Sequence, residues 1–320
     1  MRQWILVALA ALNISSQAMA APGEFPNKPL TVLVSYPAGG SVDVTARILQ
    51  EPLAKALGQT VIVDNRGGAG GSIGTALVAK AQPDGYTVLF TLSSHTINPA
   101  IQVKMAFDTE KDLAPVSLVA SSPQVLVAHP SFAPSSLSEL EAYARKNPEV
   151  IPYGSAGIGS PSHMAGELFR MKTGLPLNHV AYRGGGPATL DVLSGQIPLL
   201  WVSLPAIAQH IKSGRLKALA MSTARRFPEF PDVPAVAETI PGFNVDSWNA
   251  MFVPARTPPH IIQKIEQAVM AVTKQPAVQK ALLEQGALAT GSTARELGQI
   301  VQKELPMWRE LTKAAQIQAQ

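Results

Sequence analysis

Two kinds of apolar pattern alternate along the chain: short runs bounded by Gly, Pro, Asn and Asp, and longer stretches in which apolar residues recur every three or four positions. The first kind falls at 30–35, 61–64 and 87–92 and the second at 42–57 and 73–81. This predicts a β-α-β-α-β series, hence a mainly parallel sheet covered by helices. A second series comes next, with strands at 124–128, 151–154, 178–182, 199–202 and 218–221 and helices at 137–146, 161–173 and 187–194. A proline-rich stretch, 226–241, precedes a last strand at 248–254 and two amphipathic helices at 259–273 and 294–315. Two helices and a strand cannot enclose a core alone, so they are expected to pack back on the first unit. The predicted organisation is an α/β fold in two domains: a discontinuous one of 21–121 plus 226–320 around an inserted one of 122–225. Heptads, low-complexity tracts and internal repeats are absent from the sequence.

Composition narrows the chemistry. At 320 residues, 46% hydrophobic and 15% charged, the chain is globular and too long for one comfortable core. Its 26 Lys and Arg against 22 Asp and Glu leave a formal charge of +4, spread too thinly for a nucleic-acid stripe. There is no cysteine, and the six histidines (95, 129, 163, 179, 210 and 260) show no His-x-x-x-His spacing, which argues against disulfides, zinc-cysteine sites and thiol nucleophiles. No Walker motif or Gly-x-Gly-x-x-Gly string offers a nucleotide site. The expectation is a chain without cofactor or metal that works as a monomer.

The first twenty residues carry Arg2, an apolar run from position 4 to 12, and Ala18-Met19-Ala20, a small-x-small cleavage site. The run is shorter than the roughly 20 residues of a spanning helix. The pattern predicts a signal peptide removed after Ala20. Without a lipobox cysteine or any other thiol, the exported chain is expected in a bacterial periplasm.

Ligands of open parallel sheets collect beyond the carboxyl ends of the strands, where helix N-termini present free N–H groups. The first such loop is Tyr36-Pro37-Ala38-Gly39-Gly40-Ser41-Val42-Asp43, in which two glycines admit close backbone approach and Ser41 is suited to cap the next helix. Its counterpart in the second unit is Tyr153-Gly154-Ser155-Ala156-Gly157-Ile158-Gly159-Ser160-Pro161, with Pro161 suited to a first helical turn. Two anion-accepting loops in two domains would each take one end of a small dicarboxylate. Three more loops on the same rim, Ser93-Ser94-His95-Thr96, Tyr182-Arg183-Gly184-Gly185-Gly186 and Trp201-Val202-Ser203, add hydroxyls, a cation and an aromatic face. Gly70-Gly71-Ser72-Ile73-Gly74 matches the Gly-x-Ser-x-Gly string of serine hydrolases. The predicted strand ends several residues earlier, so Ser72 reads better as a helix cap.

The order of further motifs is specific: Phe25-Pro26-Asn27-Lys28-Pro29-Leu30, then Pro37-Ala38-Gly39-Gly40-Ser41-Val42-Asp43, Asp64-Asn65-Arg66-Gly67-Gly68-Ala69-Gly70-Gly71, Pro83-Asp84-Gly85-Tyr86, Ile97-Asn98-Pro99, Tyr153-Gly154-Ser155-Ala156-Gly157, Tyr182-Arg183-Gly184 and Phe230-Pro231-Asp232-Val233-Pro234. From 25 to about 308 the chain resembles the Bug-type periplasmic substrate-binding proteins of tripartite tricarboxylate transporters. The resemblance implies a type II periplasmic-binding fold of two α/β domains with a ligand cleft between them, no catalysis, and delivery of an organic acid to a membrane permease. It implies that Ala38, Gly39, Ser41 and Asp43 hold a carboxylate, partly through water, with Ser93, Ser155, Ala156, Gly157 and Tyr182 around the rest. Two departures stand out. Gly195-Gln196-Ile197-Pro198-Leu199 and Trp201-Val202 replace the family's Gly-Gln-Val-Asp-Leu and Phe-Asp, so an expected cleft aspartate is absent at Val202. That weakens the case for an amino-acid ligand, and Trp201 tilts the expectation toward an apolar or aromatic acid. The alternatives are an exported α/β hydrolase using Ser72 and a solute receptor serving a sensor kinase.

Overall fold

The computed structural model describes residues 25–101, 105–147, 149–314 and 317. The predicted signal peptide and its cleavage site after Ala20 lie outside the described residues. Along the chain run β1 (Leu30–Val34), α1 (Ser41–Leu57), β2 (Val61–Asn65), α2 (Ser72–Ala79), β3 (Thr87–Leu92), α3 (Ser94–Ile101) and β4 (Leu113–Ala128). Then come α4 (Leu137–Lys146), β5 (Ile151–Ser155), α5 (Pro161–Thr173), β6 (Leu177–Ala181), α6 (Gly185–Leu193), β7 (Leu199–Ser203), α7 (Ala208–Lys212) and β8 (Lys217–Met221). The chain closes with β9 (Asp246–Pro254), α8 (Pro259–Thr273), α9 (Pro276–Glu284), β10 (Leu288–Ala289) and α10 (Ala294–Ala314). Among the described residues no helix is long and apolar enough to cross a membrane.

The strands build two sheets that share β4. In the first, β1 lies parallel to β2 and β3, and β9 runs antiparallel between β3 and β4, giving the order β2-β1-β3-β9-β4. In the second, β5 lies parallel to β6 and β7, while β4 runs antiparallel to β7 and β8. The switch occurs within β4: Pro123 still pairs with Asp246 of β9, and the next residue, Gln124, pairs with Ser203 of β7. Both faces of β4 are largely buried, as a strand through two cores must be.

Each sheet is covered on both sides. Apolar residues of α1, α8 and α9 pack on one face of the first sheet, and those of α2 and α10 on the other. Around the second sheet, α4 and α5 face α6 and α7 across the strands. The proline-rich segment belongs to this second core: Phe227, Phe230 and Val233 join one of its clusters and Val236, Phe243 and Val245 the other. Helix α10 reaches across, with Leu297, Val301 and Leu305 in the first core and Trp308 in the second. The return crossing from the second sheet to the first falls at Val245 and Asp246. Buried Ser222 ties the two crossings together, because its Oγ accepts from Gln124 N–H at 2.9 Å and donates to the Val245 carbonyl at 2.6 Å.

Short α7 and β10 were not predicted, and three longer elements also differ from the sequence expectation. Residues 94–101 form α3 where a rim loop was predicted, β4 begins at Leu113 rather than 124, and α9 was not foreseen. Pro99 disguises the first and Pro115 the second; near Pro115 the β4–β9 register shifts, since proline sits in sheets at bulges and edges.

Candidate functional site

Between the two sheets, at the carboxyl ends of β1, β3, β5 and β7, lies a narrow cavity with about 10 Å³ free to a water-sized sphere. Three helix N-termini reach it. Helix α1 contributes Gly40, Ser41 and Val42, α5 contributes Pro161 and Ser162, and α6 contributes Gly185. Tyr36, Leu92, Ala156 and Val202 wall it, and Gln124 and Ser203 supply polar groups where the sheets join. Among the described residues no Asp, Glu, Lys, Arg or His lines it. The ionisable side chain in this lining is the Tyr36 phenol, whose pKa burial pushes far above its ordinary value. Each helix end carries roughly half a positive charge, so a cavity without a cationic side chain is nonetheless electropositive.

The glycine loop ahead of α1 is held from behind. Gly39 takes φ +78°, and its N–H donates to Asp43 Oδ2 at 2.9 Å. Asp43 Oδ1 in turn lies 2.9 Å from Arg47 Nε, so this buried carboxylate braces the loop instead of facing the cavity. Gly40, in extended conformation, is the N-cap of α1, and Ser41 is the first helical residue with no side-chain cap made. The expected capping role of Ser41 is therefore corrected; the residue lines the cavity. Ala38 and Gly39 sit exposed at its rim.

The second loop is ordered by serines. Ser160 caps α5 by accepting from His163 N–H at 3.2 Å and donates to the Gly157 carbonyl at 2.6 Å. Ala156 N–H donates to Ser162 Oγ at 2.9 Å. Ser155 Oγ accepts from Gly157 N–H at 3.1 Å and lies 2.6 Å from His179 Nε2. The His179 ring stacks on His163 at 4.2 Å, and burial, then His163, holds its pKa down to about 3. Ser155 and Gly157 thus support the loop, and Ala156 reaches the cavity.

The remaining predicted residues divide. Tyr36 lines the cavity; its hydroxyl donates to the Gly70 carbonyl at 2.8 Å and lies 3.0 Å from Ser94 Oγ. Ser93 is buried beside the cavity wall, its carbonyl accepting from Thr96 Oγ1 at 2.8 Å. Ser203 lines the cavity and accepts from Gln124 Nε2 at 2.9 Å. His95 does not reach it: the ring lies 4.2 Å from that of Phe252 in the first core. Trp201 points the other way, toward Phe169 and Phe243, because neighbouring strand residues face opposite sides and Val202 takes the cavity side. The aromatic tilt read from Trp201 is corrected accordingly. Tyr182 donates to Asp191 Oδ2 at 2.8 Å behind the second loop, its pKa pushed up to about 12 by burial and then by Asp191. Arg183 is exposed outside the lining. Ser72 opens α2 after a loop rather than a strand, accepts from Asn98 Nδ2 at 3.1 Å, and has Gly71, not itself, as the N-cap before it. Gln124, Ser162 and Leu92 were missed; the lone amide at the head of the apolar run 124–128 was the readable signal for the first.

Two α/β lobes joined by crossing strands, with helix N-termini from both directed into one cleft, define a type II solute-binding protein. Residues 45–317 match the model of the Tripartite tricarboxylate transporter family receptor, and the chain belongs to that family. Among solved structures it is similar to the periplasmic binding protein BugD, 34% identical with a TM-score of 0.89, covering 92% of this chain and 100% of that one. A Rhodopseudomonas palustris protein with adipate is 31% identical, TM-score 0.89, over 92% of this chain and 99% of that one. MatC from the same organism, with bound malate, is 32% identical, TM-score 0.84, over 89% and 99%. The family is one of receptors, so the Ser72 hydrolase reading is set aside.

Proposed function

We propose that this chain is a periplasmic receptor that captures a small linear dicarboxylate between its lobes and delivers it to a membrane permease of the tripartite tricarboxylate type. The observation that carries the reading is the convergence of α1 from one lobe and α5 and α6 from the other on one small cavity lined, among the described residues, by no charged side chain. Backbone N–H groups at opposed helix ends suit two carboxylates at the ends of one molecule. With about 10 Å³ free, roughly the room for one water, the cavity is nearly closed in this arrangement, and the lobes must part to admit a diacid. Malate and adipate in the two R. palustris proteins support a short aliphatic diacid. The described lining offers no carboxylate to take an ammonium group and no tryptophan to stack on an aromatic acid. The moving bodies are assigned as 25–123 with 246–314, and 124–245, because the chain changes sheet at those two points. The leader is removed after Ala20, and the mature protein acts as a monomer without cofactor or metal.

A thermal-shift screen of the mature chain against mono-, di- and tricarboxylates, aromatic acids and amino acids tests this. Linear dicarboxylates should raise the melting temperature, since a ligand at 100 times its Kd stabilises the folded state by about 2.7 kcal/mol. A shift with amino acids or aromatic acids alone, or with no carboxylate at all, would overturn the reading.

A further inference from the structure

Two glycine-bearing loops meet across the mouth of the cavity, Pro37 to Gly40 from the first lobe and Gly184 to Gly186 from the second. A Cβ built on Gly186 would lie 2.4 Å from the Ala38 carbonyl oxygen, and one on Gly184 would lie 2.5 Å from Pro37 Cδ. Neither separation is open to a real side chain. For both glycines the three nearest atoms all belong to the opposite lobe, to Pro37 and to Ala38 with Gly39. Gly186 is helical and Gly184 has extended backbone with φ 160°, so the fold of their own lobe does not demand glycine there. The opposing lobe does. A second contact crosses between the lobes, with Gly70 of the first, whose φ of +61° itself favours glycine, placing its missing Cβ 2.4 Å from the Ile158 carbonyl oxygen of the second. Among the described residues no hydrogen bond joins the Pro37 and Gly184 loops, so the surfaces fit by shape alone and can part without leaving a donor or acceptor unpaired.

We infer that Gly184 and Gly186 are positioning residues for ligand capture: they form a side-chain-free seam that lets the lobes close fully over the cavity, although neither has a side chain to offer a ligand. This rests on the proposed capture of a carboxylate between the lobes. Filling the seam should hold the lobes apart while leaving the helix ends intact, and so act on release more than on encounter.

The test uses the mature chain with cysteines introduced at Leu77 on α2 and Leu190 on α6, which are 50% and 68% exposed in a cysteine-free protein. Spin labels there report the lobe-to-lobe distance, read with the dicarboxylate that gives the largest thermal shift. The unsubstituted pair should shift to one short-distance population with ligand. Gly184→Ala should require about tenfold or more ligand for that shift, through faster dissociation, with the ligand-free melting temperature unchanged. Pro37→Ala added to Gly184→Ala removes the atoms in conflict and should recover most of the loss. In Gly186→Ala, which meets a backbone carbonyl, Pro37→Ala should recover nothing. Binding and closure by Gly184→Ala at unsubstituted ligand concentrations, or no recovery in the double variant, would overturn the seam and leave the receptor reading standing. Absence of binding by the unsubstituted chain to every carboxylate would overturn both.

Discussion

His95 is 2% exposed, lies against the Phe252 ring, and among the described residues finds no hydrogen-bond partner for either ring nitrogen. Burial holds its pKa down to about 3, against an ordinary value of 6.5. Between those values the unfolded chain binds the extra proton. The contribution of neutral His95 to stability is therefore complete above about pH 6.5 and declines as the pH falls toward 3, by about 1.4 kcal/mol per pH unit. His95→Leu should flatten the stability-against-pH curve between about pH 6 and 4 by that slope, as measured by urea unfolding; curves that stay parallel would show that the residue is not buried in this form. The sequence placed His95 on the cleft rim because it comes directly after β3, where ligand loops usually lie. Only the three-dimensional path of α3, which starts at once, turns the ring into the core. Tyr36, Gly40, Ser41 and Ala156 were legible because glycines and a helix start leave a local pattern. Choosing Val202 over Trp201 required the strand's phase, and two adjacent apolar residues do not reveal it.

At the level of elements, α10 is anchored by one half-buried carboxylate. Glu304 lies 2.6 Å from Thr96 Oγ1 on α3 and accepts from Trp248 Nε1 on β9 at 3.0 Å, and burial raises its pKa. The helix that packs on both cores is thereby pinned to the strand that runs into the crossing. Glu304→Ala leaves the indole N–H without its acceptor and should lower stability by about 1–3 kcal/mol in urea. Glu304→Gln, which keeps an acceptor, should lose less; equal losses would assign the effect to volume and not to the bonds. Helices α4, α5 and α8 were readable to the residue because their ends carry Ser136, Ser160 with Pro161, and Pro259. The first half of β4 was not. Its Pro115, Ser117 and Ser121 break the apolar period, and the buried Ser117 hydroxyl donates at 2.6 Å to the Ser292 carbonyl far along the chain.

At the scale of the molecule, two α/β units were visible in the alternation of patterns; the chain changes sheet at 123–124 and 245–246, against expected domain bounds at 121–122 and 225–226. The proline-rich segment was assigned with the first unit, yet its Phe227, Phe230 and Val236 are buried in the second core, a partnership that no local pattern records. The place of β9 between β3 and β4 also has a kinetic meaning. That strand is made only after every residue of the second lobe, so the first sheet lacks its centre until late, whereas the second lobe is built from β4 and the elements between it and β9. Long-range pairing of this kind is slow to form, and the inserted lobe should be folded while its host is still open. Trp201 lies in the inserted core and Trp248 on β9, so the two indoles report the two events separately. In stopped-flow refolding of single-tryptophan variants of the mature chain, Trp201 fluorescence should recover first and Trp248 later; a common rate would mean that the lobes nucleate together. A chain that must finish one half of itself in the middle of the other is exposed for longest along β3, and that open edge is where a folding helper would find it.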